Sequence, residues 1–336
     1  MDTDICLHSI TAFDLLRRWD LAIPDLFDMP RATSLRTCRI TSSLDIRDRL
    51  ARLGLHEGPF HLMVGDKRYD HAVPDVVCHV SANPLPTRSL VRVAPGILCP
   101  SPELCFAQLA QLACAEGAGN PGRVYGRTFC RFPWLDEVDL ALKGFELCGT
   151  YLFDPEGEDN IRNTERPLTS CVKMGSLLGA MSGRHGAKLA RRALELVQDG
   201  SHSLMETSMA LQLTGPRRIG GIGFERGVLN CKVETSVGDR YVDLAWRRKN
   251  IGLEYLGRKW HEDTVKDDCR RNKLAGSGMS IITVRIKDLS DPYLFEELVQ
   301  DVADALGTRV RIRDREFSAR RHALWEKTLP PLRRRC

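Results

Sequence analysis

The stretch Arg240–Arg285, RYVDLAWRRKNIGLEYLGRKWHEDTVKDDCRRNKLAGSGMSIITVR, decides the fold, because it writes two acid-bearing strands, a charged helix and a β-branched strand in succession. Alternation of period two predicts a strand over 241–246, with Val242, Leu244 and Trp246 on one face and Tyr241, Asp243 and Ala245 on the other. Arg247, Arg248, Lys249 and Asn250 form a polar turn, and Ile251 to Leu256 returns as the second strand of a hairpin that carries Glu254 and ends at Gly257. In that register Asp243 and Glu254 reach one end of the sheet together. A hard divalent cation takes such carboxylate oxygens and keeps several waters.

Working outward, residues 262–276 read as an amphipathic helix with Val265, Cys269 and Leu274 as a thin apolar stripe. After the break at Gly276-Ser277-Gly278, residues 279–284 (MSIITV) read as a strand reached by a crossover connection. Leu294, Leu298, Val302 and Leu306 then predict a helix over 291–306.

The order VDLAW, GLEYLGRKWH, then Asp267, Arg270, Asn272 and Leu274 before a β-branched strand resembles the PD-(D/E)XK restriction-endonuclease-like superfamily. Within it, the resemblance is to the Vsr-like branch related to very-short-patch-repair endonucleases. Upstream, Ser201 to Thr207 (SHSLMET) looks like the family's serine-rich entry to a first helix bearing Glu206, followed by a glycine-rich turn at Gly220, Gly221 and Gly223 and a first strand over 228–234. The resemblance implies an α/β core over 201–306 of helix, three-strand meander, helix and strand, acting on DNA with Mg²⁺ or Mn²⁺. It implies that Asp243 and Glu254 bind the metal, that Glu206 assists from the first helix, and that His261 serves as general acid or base. Arg258, Lys259, Arg270 and Arg271 would then contact nucleic acid. One position departs from the pattern: the superfamily's lysine, two residues after the strand acid, is replaced by Leu256. The implied function is a metal-dependent DNA endonuclease in repair or defence. The alternative, favoured by Leu256, is a catalytically inactive nuclease-fold DNA-binding regulator of toxin–antitoxin or abortive-infection type. Read without the family, Asp267, Arg270 and Asn272 are simply a charged helix face with i,i+3 pairing.

The remainder divides into a mixed α/β N-terminal domain over 1–153, a linker and helical connector over 154–200, and a basic tail over 307–336. In the first domain we expect a helix over 7–19, strands at 37–41, 60–64, 76–80 and 90–93, a helix from Ser101-Pro102-Glu103 to Ala115, and another over 134–142. Residues 146–151 read as a helix exit. The connector is a helix over 172–197 broken near Gly183, with a basic cluster at Arg184, Lys188, Arg191 and Arg192. This half loosely resembles bacterial AbiEi-type antitoxin and abortive-infection proteins, which implies a protein partner for it.

Composition is that of an ordinary soluble protein: 43% apolar and 28% charged residues over 336 positions leave room for two cores. No run is long and apolar enough for a membrane span, and the N-terminus MDTDICLHSI lacks signal-peptide order, which points to the cytoplasm. The 12 cysteines form no C-x-x-C pair and no Cys/His spacing suited to zinc, so they read as small buried hydrophobes. Net charge is only +5, yet from Arg309 onward ten basic residues face three acids, so the tail carries +7 and the rest −2. Such a tail either grips phosphates or, through Phe317, Leu324, Trp325 and Leu329, docks on its own domain.

Overall fold

The computed structural model describes residues 3–23, 25–115, 123–124, 127–128, 135–154, 161–235, 238–257 and 278–329. The chain is mixed α/β and divides into two compact units, Met1–Leu147 with Leu168–Val197, and Cys148–Pro167 with Gln198–Cys336. Residues 168–197, read from the sequence as part of a connector, therefore group with the first unit, and 148–167 with the second.

In the first unit, β1 (Ile5–Cys6), α1 (Ser9–Leu16), α2 (Trp19–Ala22), β2 (Arg31–Ala32), α3 (Ser43–Ala51), β3 (Phe60–Val64), β4 (Val76–Val80), β5 (Leu90–Ala94) and β6 (Ile97–Pro100) precede α4 (Pro102–Ala115). The two-residue strands β7 (Arg123–Val124) and β8 (Arg127–Thr128), then α5 (Glu137–Cys148), follow. One sheet runs β1-β6-β5-β2, with β1 parallel to β6, and β3 pairs with β4 in parallel. All five residues of β3 are buried, His61 among them, as a strand covered on both faces requires. α4 begins as its sequence predicts, with Ser101 Oγ accepting the Leu104 N–H at 3.3 Å, and buries Leu104, Cys105, Phe106, Leu109 and Ala110.

Three expectations for this unit are corrected. The first helix ends at Leu16, and the helix expected over 134–142 spans Glu137–Cys148 instead. No strand forms over 37–41. That segment makes a single bridge, Asp4 to Cys38, because the buried Asp4 carboxylate holds it through the Thr37 hydroxyl at 2.6 Å and is clamped by Arg92 at 2.7 and 3.0 Å. The connector helix is broken where expected, near Gly183, into α6 (Cys171–Ala180) and α7 (Ala187–Leu194), both packed on α4. Gly186 enforces the break: its φ is +76°, and a Cβ there would fall 2.6 Å from the Gln111 backbone nitrogen.

The second unit contains the hairpin β9 (Tyr151–Phe153) and β10 (Ile161–Asn163), then α8 (Leu204–Thr214) and the strands β11 (Val228–Thr235), β12 (Gly238–Trp246), β13 (Ile251–Leu256) and β14 (Ser280–Arg285). The short α9 (Ile286–Ser290), then α10 (Pro292–Leu306) and α11 (Phe317–Thr328), complete it. Residues 146–151, read as a helix exit, thus lead directly into a strand. The sheet order is β11-β12-β13-β14, antiparallel through the first three strands and parallel between β13 and β14. Every residue of α8 from Met205 to Thr214 is buried, and the helix packs against β12. α10 is capped by Asp291, which accepts the Tyr293 and Leu294 N–H groups, and buries Phe295, Leu298, Val302 and Leu306. The helix expected over 262–276 lies outside the described residues. Among the described residues no helix is long and apolar enough to cross a membrane.

The basic tail docks. α11 buries Phe317, Leu324 and Thr328, and contacts α8 and the 3₁₀ turn Arg217–Ile219. Arg321 stacks 3.3 Å over the Phe295 ring and donates to Gln212 Oε1 at 2.8 Å, filling an acceptor that α8 would otherwise bury. Gly220 permits the approach, since a Cβ there would lie 2.4 Å from the Arg320 carbonyl oxygen.

Candidate acidic site on the four-stranded sheet

The hairpin that carries the two acids forms, with its turn and second strand at the predicted ends and its first strand starting three residues earlier than expected, at Gly238. Arg247–Lys249 makes a 3₁₀ turn closed by Asn250 in the left-handed region at φ 53°, and β13 spans Ile251–Leu256. The last described pairs are Trp246–Ile251, Ala245–Gly252 and Leu244–Leu253, so Asp243 and Glu254 are the next residues on each strand. Tyr255 donates its backbone N–H to Asp243 Oδ2 at 2.7 Å, which ties that carboxylate to β13.

Asn230 joins them from β11. The pairs Leu229–Leu244 and Cys231–Val242 bracket Asn230 and Asp243, which places the two side by side across the sheet. Asn230 has φ 43°, an unusual left-handed residue inside a strand. Val242 and Ala245 share one apolar cluster with Cys231 and Met279, and the strand stays buried from Leu244 through Trp246. On the other side, β14 continues the row, with Thr283 as register partner of Glu254.

Glu206 approaches from α8. Ser203 is the N-cap of that helix and accepts the Glu206 N–H at 3.1 Å, while Glu206 in return accepts the Ser203 hydroxyl at 3.1 Å and the His202 N–H at 2.8 Å. Asn230 Nδ2 donates to Glu206 Oε2 at 2.5 Å and to the Gly200 carbonyl at 2.8 Å, so it braces the helix start against the sheet. Ser201 and Tyr151 extend the network through Thr207, at 2.9 and 2.7 Å. Glu206 is 7% exposed, and burial, followed by the charge of Asp243, pushes its carboxyl up to about 7 against the pull of its three donors.

The sequence-predicted residues Glu206, Asp243 and Glu254 thus come from adjoining elements. Asp243 and Glu254 are half-buried, not sealed. His261, Arg258, Lys259, Arg270 and Arg271 lie outside the described residues. Asn230 was not predicted; its signal was only an asparagine inside a β-rich run. The structure also qualifies the departure at 256. Leu256 pairs with Arg285 on β14, and partners in a parallel ladder project to the same face, as do Glu254 and Leu256 two residues apart. An exposed guanidinium therefore stands in the row where the strand itself offers a leucine. Compared with protein-family models, curated proteins and solved structures, the chain matches none.

Proposed function

We propose that the second unit is a metal-dependent DNA endonuclease domain of the restriction-endonuclease-like type, hydrolysing phosphodiester bonds with Mg²⁺ or Mn²⁺. The observation that carries this reading is that Asn230 ties Glu206 to the sheet, where the Asp243 charge reaches it, while Glu254 stands opposite Asp243 just past the last ladder pairs of an antiparallel hairpin whose neighbour β14 is parallel. The donor set fits a hard cation: carboxylate oxygens on adjacent strands, with Glu206 raised by burial first and then by the Asp243 charge, the part that a cation would relieve. Asp243 and Glu254 would hold the ion. When bound, it supplies Lewis-acid stabilisation of charge on the scissile phosphate.

The chain's own residues do the positioning. The Tyr255 N–H occupies one oxygen of Asp243 and orients the other. Asn230 and Ser203 hold Glu206, which near neutral pH divides between acid and base forms and is suited to exchanging a proton with solvent at the site. Arg285 contributes the cation that Leu256 does not, and steadies a phosphate oxygen.

The experiment is plasmid nicking by the full chain with Mg²⁺ or Mn²⁺. Asp243→Ala and Glu254→Ala are each expected to reduce the rate by at least 100-fold, roughly the loss of one dominant electrostatic contact. Nicking that survives both substitutions refutes the assignment. Leu256 favours a second reading, a non-cleaving DNA-binding regulator. Its mark is salt-sensitive DNA binding that the same substitutions leave intact, with no cleavage by the unsubstituted chain.

A further inference from the structure

Three histidines far apart in the sequence meet in the first unit. His8 lies between β1 and α1, His61 on β3 and His79 on β4. The Leu7–Leu62 bridge and the bond from the His8 N–H to the His61 carbonyl, 2.9 Å, bring the first two together. The parallel register Met63–His79 puts His79 on the same face of the β3–β4 pair as His61, one pleat repeat along. Each ring offers a nitrogen within 4.8 Å of the other two.

The contacts among the rings account for two of them. His61 Nδ1 and His79 Nε2 are 2.9 Å apart, with Ser9 Oγ 3.4 Å from the same His61 nitrogen, so one proton suffices for that pair. His8 stacks on His79 with centroids 3.9 Å apart. Stacking does nothing for its Nδ1, which is buried without a hydrogen-bond partner among the described residues, in a side chain 6% exposed. An orphaned imidazole nitrogen beside two others is a cost that a shared cation removes. Burial holds all three rings neutral at physiological pH, His8 well below the usual imidazole value, His61 down to about 4 and His79 to about 3, which leaves their lone pairs available. A cavity of about 600 Å³ opens beside His8 and His79, lined also by Cys78, Gln108, Arg184 and His185.

We propose that His8, His61 and His79 bind one divalent transition-metal ion of the Zn²⁺ class, with a remaining coordination position open to this cavity. An all-imidazole set suits zinc, copper, iron or nickel, whereas Mg²⁺ and Ca²⁺ require oxygen. Three protein ligands beside a cavity is the pattern of a reactive zinc site, not of a closed structural one. Neighbouring nitrogens on a tetrahedral zinc lie about 3.3 Å apart, so the His61–His79 pair parts by only a few tenths of an ångström on capture. This site is independent of the acidic site in the second unit.

The test is titration of the metal-stripped full chain with Co²⁺. One equivalent is expected to give the intense visible d–d bands of a four-coordinate site, which any Co²⁺ on the Asp243 and Glu254 oxygens, weakly absorbing, would not give, and Zn²⁺ is expected to bleach them. His79→Gln, at a half-buried position, is expected to lose at least tenfold in affinity, while Asp243→Ala retains the full signal. X-ray absorption of the zinc-loaded unsubstituted chain, which needs no variant to fold, is expected to show imidazole scattering from about three nitrogens near 2.0 Å. Absence of stoichiometric Co²⁺ uptake, uptake unchanged in a folded His79→Gln, or a zinc shell without imidazole would each overturn the proposal.

Discussion

Glu206 is the third helical residue of α8, where an acid is expected to close a capping box, yet it is also buried within reach of the Asp243 charge. Both roles were readable in part: SHSLMET carries the cap signal, whereas the second acid that perturbs it arrives from a strand more than 30 residues later. The sign of the consequence is definite. With a folded value near 7 against an ordinary 4.5, the native protein keeps a proton across that window that the unfolded chain has released. This group's contribution is therefore fully present below pH 4.5 and lost as pH rises through 7. His61 and His79 act in the opposite sense, because their depressed values make stability fall as pH drops from 6.5 toward 4 and 3. Glu206→Gln isolates the first effect. In urea denaturation with a chelator present, it is expected to stabilise the protein at pH 8 relative to pH 4.5 by up to about 3 kcal/mol compared with the unsubstituted chain. Identical pH dependence in both proteins would contradict the raised carboxyl. The histidines themselves were invisible as a set, since positions 8, 61 and 79 have no metal-ligand spacing and only strand pairing makes them neighbours.

At the scale of elements, what the sequence revealed depended on how local the cause was. β3, β4 and β13 have the ends predicted for them, because short apolar runs bounded by Gly, Pro or charged turns define them locally. β1 was missed: it has two residues and exists through parallel pairing with β6, some ninety residues away. The strand expected over 37–41 failed for the converse reason, a side-chain clamp at Asp4 taking the place of a ladder. The tail left two readings open, a phosphate-gripping arm and docking through its apolar residues, and docking is present: Phe317 and Leu324 anchor α11 in the second unit and Arg321 engages Gln212 and Phe295. Deleting residues 309–336 is accordingly expected to lower stability by several kcal/mol, at about 1.5–3 kcal/mol for each large apolar side chain that loses its burial. A solvated arm would instead leave the urea midpoint unchanged and cost only salt-sensitive DNA affinity.

For the molecule as a whole, the sequence pointed to a mixed α/β chain with two cores, and two units are present, though the division falls elsewhere than composition placed it. The polar stretch after Asp154 looked like a boundary, whereas α6 and α7 belong with α4 and the β9–β10 hairpin with the second unit, because buried faces and not linker chemistry decide membership. On the two proposals each unit would offer a different ligand chemistry, carboxylate oxygen in the second and imidazole nitrogen in the first. The central claim is that Asp243 and Glu254 share one hard cation. Anomalous diffraction from crystals of the full chain equilibrated with Mn²⁺ tests it most directly. The expected result is a manganese peak within coordination distance of both carboxylates, and absence of any peak there at Mn²⁺ concentrations that support DNA cleavage would contradict the claim.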